Sequence, residues 1–159
     1  MNDVQLHLLV NHVPILGTLF ALLLGLSGAG RRQPAVVRAA FVALVVCGAA
    51  AFVTKETGED AEEPVEEIVG VDRRARHEHD EAAETATWAS LVLALAALGV
   101  LVWRRREDDL GAVPTAVVLV AAAAVFGLMA RAGNLGGQIR HTEISDAPAP
   151  GPPRPEADG

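Results

Sequence analysis

LVLALAALGVLVW, Leu91–Trp103, and VPTAVVLVAAAAVFGLMA, Val113–Ala130, carry almost no polar side chain. A helix on the surface of a soluble bundle shows polar residues every three or four positions along one face. These stretches lack that face, so each predicts a helix with apolar surroundings on every side. Working outward, the chain holds four such blocks: Leu6–Ala29, Ala35–Thr54, Ala82–Trp103 and Leu110–Ala130. Each approaches or exceeds the roughly 20 residues that an α-helix needs to cross a bilayer core. The expected fold is therefore all-α, an integral membrane four-helix bundle. Its spans fall near 6–29, 35–54, 82–103 and 112–132, within a domain covering 1–145. The Pro-rich tail, 146–159, reads as disordered.

The rest of the composition agrees. Hydrophobic residues make up 51% of the 159, and the net charge of −7 lies almost wholly between and after the apolar blocks. Mean hydropathy is +0.31. The first block follows MNDVQ, which carries an acid and no base, and it is longer than a signal-peptide core, so it reads as a retained helix. The lone Cys47 lies inside the second block and has no internal disulfide partner. Trp88 and Trp103 stand 15 positions apart, about 22 Å along a helix, as two interfacial anchors would.

Four spans put both termini on one side, together with the long polar connection Lys55–Glu84. The short links 28–38 and 104–111 lie opposite. They hold Arg31, Arg32, Arg38 and Arg104–Arg106 directly at the helix ends. The other side carries Lys55, Arg73, Arg74, Arg76, Arg131 and Arg140, so the raw count is six against six. The tight placement of the link arginines in short loops favours cytoplasmic links and extracytoplasmic termini in an inner membrane.

This topology gathers all five histidines at one end of the bundle. His7 and His12 lie in LHLLVNHVPILG, His77 and His79 precede the third span, and His141 follows the fourth. On an ideal helix His7, Asn11, Pro14 and Thr18 form one stripe, and His12 is displaced from it by about 140°. Pro14 has no N–H to give the carbonyl of Val10, which predicts a kink or a helix start nearby. His79 shares a face with Ala83, Ala86 and Ser90, small residues that admit a neighbouring helix or a flat ligand. Glu59, Glu62, Glu63, Glu66 and Glu67 line a helical face before Pro64 bends or ends it, and Glu84 shares a face with His77. Gly133, Gly136 and Gly137 predict a sharp turn that folds Gln138, Arg140 and His141 back over the mouth.

LHLLVNHVPILGTLF, TGEDAEEPVEEIVGV, the HDEAAE element and GNLGGQIRHTEI, in this order, resemble an uncharacterised family of bacterial four-helix membrane proteins known as domain of unknown function 2231. The likeness spans about residues 2–145. In that family the third element carries a single histidine followed by acids, which falls on His79-Asp80-Glu81 and leaves His77 as an extra. The resemblance implies a polytopic inner-membrane protein and supplies no activity.

Three function classes follow. In the first, the mouth binds haem b or a transition metal for electron transfer. Its ligands come from His12, His79, His141 and His7, with Arg140 and Asn11 beside the cofactor and Glu59 and Glu84 as further metal donors. In the second, the protein is a non-catalytic accessory subunit whose polar face docks a periplasmic partner. In the third, His12 and the carboxylates relay protons or a small solute. The expected partners are the bilayer and a redox protein or other membrane subunit, not nucleic acid. Neither HEXXH nor CXXCH is present, and a hydrolase is disfavoured by the lack of G-x-S-x-G and of tyrosine.

Overall fold

The computed structural model describes residues 11–66 and 73–140. It places four helices in them: α1 His12–Gly30, α2 Pro34–Glu66, α3 Arg73–Trp103 and α4 Ala112–Arg140. There is no strand among the described residues. Each helix packs on its sequence neighbours, and α4 returns to α1, closing an up-down ring. All four are long and apolar enough to cross a membrane.

The ring is narrow because small residues line its seams. A Cβ at Gly25 of α1 would meet Leu119 of α4 at 2.5 Å and Ala40 of α2 at 3.4 Å. A Cβ at Gly48 of α2 would meet Ala94 of α3 at 2.4 Å and the Ser90 carbonyl at 3.1 Å. Lipid tails are as apolar as leucine, so spanning helices gain little by hiding apolar area from water. Close backbone approach and dense packing hold them instead. Phe41, Leu44, Ala97 and Ala122 fill the centre. The outer surface is apolar too: Leu95 is 68% exposed and Val120 72%. In water that surface would be an aggregation liability; in a bilayer it is the solvated face.

α2 and α3 run well past their apolar blocks. With 33 and 31 residues they reach about 50 and 46 Å, against a hydrocarbon core of about 30 Å. The excess lies at the end where α1 begins and α4 finishes. There the polar connection expected between 55 and 84 is mostly helix, and only 67–72 lies outside the described residues. Local pairs support it. Arg74 Nε donates to Glu78 Oε1 at 2.9 Å, an i,i+4 ion pair. Thr54 and Thr57 donate to the carbonyls of Ala50 and Val53, so their hydroxyls are satisfied as α2 leaves the apolar layer. α2 continues to Glu66, two residues beyond Pro64.

The opposite end is tied by one arginine. Arg38 Nη2 donates to the carbonyl of Arg104 at 2.9 Å and to that of Glu107. It thereby satisfies acceptors left over at the C-terminus of α3.

Candidate functional site at the histidine end

Among the described residues, His79 is the histidine the fold holds most firmly. It sits in the second turn of α3 on the inward face it shares with buried Ala86 and Ser90. Its Nδ1 lies 2.9 Å from the carbonyl of Ala132 on α4. A carbonyl only accepts, so Nδ1 carries the proton and donates it. In the neutral ring that leaves the lone pair on Nε2. The ring needs room to lie there, and Gly136 supplies it: a Cβ at that position would stand 2.9 Å from His79 Cε1 and 3.2 Å from Nδ1. A histidine whose one nitrogen is fixed by a backbone carbonyl while the other keeps its lone pair has the arrangement that orients metal-ligating imidazoles.

The glycines of GNLGGQ thus do something other than turn the chain. α4 stays helical through Gly133, Gly136 and Gly137 to Arg140, correcting the expected fold-back. Gly136 thins the helix where His79 approaches, a Cβ at Gly133 would touch Ile15 of α1 at 3.6 Å, and one at Gly137 would meet nothing within 4 Å.

On α1, Asn11, Pro14 and Thr18 line the inner side, continuing through Ala21 and Gly25. Pro14 is buried and lies in the first turn of α1, where a missing N–H is tolerated. The Asn11 side chain makes no capping bond, and its Oδ1 is buried without a partner. The Thr18 hydroxyl is likewise buried, and it faces the Cys47 thiol of α2, a weak hydrogen-bond partner. Two buried polar oxygens therefore sit two turns apart on one inward stripe. His12 is exposed, about 100° round the helix from Asn11.

His77 and Glu84 are also exposed, and Glu84 Oε1 accepts a long 3.4 Å bond from Trp88 Nε1. Glu59 and Arg140 lie in α2 and α4, at the same end, with side chains outside the described set; His7 and His141 lie outside the described residues altogether. Among the described residues no group of three or more His, Cys, Asp or Glu side chains is placed to hold a metal ion. What the structure brings together is His79 with Ala132 and Gly136. The sequence reading missed that pairing because a backbone carbonyl leaves no residue-type signature. The available signal was a glycine four positions after Ala132, one turn along α4.

The family described as "Predicted membrane protein (DUF2231)" matches residues 3–143, nearly the whole chain, and the chain belongs to it. No curated protein and no solved structure matches the chain.

Proposed function

We propose that this member of the DUF2231 family is an electron-transfer protein of the inner membrane that binds haem b or a transition metal at its histidine end. The observation that carries the reading is the fixed tautomer of His79, with Nδ1–H held by the Ala132 carbonyl and Nε2 left as a ligand atom. His79 is one ligand. The second is His141, one residue beyond the end of α4, or His7, ahead of α1; His12 is the third candidate, and its exposure disfavours it. Arg140 balances negative charge on the bound group. Asn11, with its unpartnered inward oxygen, supplies a hydrogen-bond acceptor near the mouth. Glu59 and Glu84 serve as outer donors if the group is a bare metal ion. The bound group would supply the redox chemistry; the protein positions it and sets its surroundings. The arginine-rich links face the cytoplasm in this reading, so the mouth opens on the extracytoplasmic side.

The test is direct. The protein purified from membranes in mild detergent is examined by reduced-minus-oxidised visible spectroscopy and elemental analysis. A haem α band, or a stoichiometric transition metal, supports the reading. A colourless, metal-free protein overturns it.

A second reading has its own observation. The extensions of α2 and α3 reach roughly 15–20 Å past the apolar layer, and the connection 55–84 carries twelve acids against four bases. A non-catalytic accessory subunit would dock a basic periplasmic partner on that pair. Co-purification that survives loss of the cofactor histidine favours this reading over the first.

A further inference from the structure

The end opposite the histidines gathers six arginines: Arg31, Arg32 and Arg38 around the α1–α2 link, and Arg104, Arg105 and Arg106 after α3. Three acids, Glu107, Asp108 and Asp109, follow them. The arrangement is held rather than loose. Arg38 bridges the two links through the carbonyls of Arg104 and Glu107. The Arg104 guanidinium lies 5.6 Å from the centre of the Trp103 ring, and its Nη2 is 3.7 Å from Asp109 Oδ1. Its Nε–H is buried with no acceptor. Arg32 ends the α1 turn with φ +54°, a left-handed position that favours glycine, so the turn retains a cation where local backbone preference would remove it. Arg32, Arg105 and Arg106 are exposed, and Trp103, which directly precedes the Arg104–Arg106 run, is 70% exposed.

We infer that this end is a binding surface for the phosphate of an anionic lipid headgroup. A guanidinium donates two parallel N–H bonds to phosphate oxygens, and its planar fork suits that geometry better than an ammonium does. Juxtamembrane basic clusters draw anionic lipids from the surrounding leaflet. The exposed heads of Arg32, Arg105 and Arg106 supply the donors, and Trp103 anchors the helix at headgroup depth. The other end also carries bases, but acids outnumber them twelve to four across 55–84, and Glu84 lies against Trp88. The same lipid is repelled there.

The chain's two tryptophans report the two ends separately. Trp88→Phe leaves Trp103 as the sole indole, and Trp103→Phe leaves Trp88. Both are more than half exposed, so neither change empties the core. Each variant is reconstituted into phosphatidylcholine bilayers containing a fixed minority of phosphatidylglycerol, with bromine on the tails of one lipid or the other. Trp103 is expected to be quenched more by brominated phosphatidylglycerol than by an equal fraction of brominated phosphatidylcholine. That preference should fall by roughly two- to fivefold for each exposed arginine neutralised in Arg105→Gln and Arg106→Gln. Trp88 should show no such preference. Equal quenching of Trp103 by the two lipids overturns the inference, and so does an equal preference at both tryptophans. Loss of the preference on adding inorganic phosphate would show that the arginines bind phosphate as such, which overturns the lipid assignment.

Discussion

Replacing Gly136 by alanine separates the stability of α4 from the geometry of His79. The new Cβ would lie 2.9 Å from His79 Cε1 and 3.2 Å from Nδ1, so the ring must move and its bond to Ala132 must lengthen or break. A net hydrogen bond is worth about 0.5–1.5 kcal/mol. Against that, alanine in a helix interior is better than glycine by roughly 0.8–1 kcal/mol. The two terms nearly cancel, so unfolding in mixed micelles should shift by less than about 1 kcal/mol. Gly137→Ala is the control. Its Cβ would meet nothing within 4 Å, so the same helix gain appears without the clash, and the protein should be stabilised by about 1 kcal/mol. The assay has a second readout, the ring ¹⁵N shifts of labelled His79, which distinguish a protonated Nδ1 held by a carbonyl from a released ring. Gly136→Ala should change them and Gly137→Ala should not. Unchanged His79 shifts in Gly136→Ala would refute the packing argument.

Other positions carry simpler expectations, all read by unfolding in detergent. Gly48→Ala puts a Cβ 2.4 Å from Ala94 Cβ and 3.1 Å from a backbone carbonyl, neither of which is a flexible chain end, so it should destabilise the bundle by about 1–3 kcal/mol. Thr18→Val keeps the shape and removes a buried hydroxyl whose neighbour is the weakly bonding Cys47 thiol, so stability should change by less than about 1 kcal/mol; a larger loss would show that the hydroxyl makes a strong bond. Arg32→Gly relieves a left-handed non-glycine residue and should stabilise by about 1 kcal/mol, while lowering the anionic-lipid preference. Arg38→Gln removes a charged donor from two link carbonyls, of which that of Arg104 still accepts from the Glu107 N–H, and should cost about 1 kcal/mol.

The membrane bundle was legible because Leu91–Trp103 and Val113–Ala130 have no polar face, and bilayer thickness converts that directly into spans. The inward stripe of Asn11, Pro14 and Thr18 and the small-residue face of His79 were legible from helical periodicity. What escaped has physical reasons. The helical face of Glu59–Glu67 was legible, but the extent of helix across the polar connection 55–84 was not, because charged stretches bury nothing; α2 and α3 simply continue once the spans have nucleated them. The glycines after Ala132 read as a turn because glycine permits one; here they make room for a ring on another helix, a tertiary fact with no local trace. The same periodicity set His12 off the stripe, and the structure leaves it exposed; what periodicity does not say is which stripe of an apolar helix faces its neighbours.

The ligand role of His79 is tested most directly against His77, two residues earlier and about 200° round the same helix. His79→Ala and His77→Ala are purified alongside the unaltered protein, and the reduced-minus-oxidised spectrum and metal content of each are measured. His77 is exposed, and no ligand role falls to it. The account predicts that His77→Ala keeps the bound haem or metal and that His79→Ala loses it. Retention of the full signal in His79→Ala, or its equal loss in both variants, would contradict the assignment.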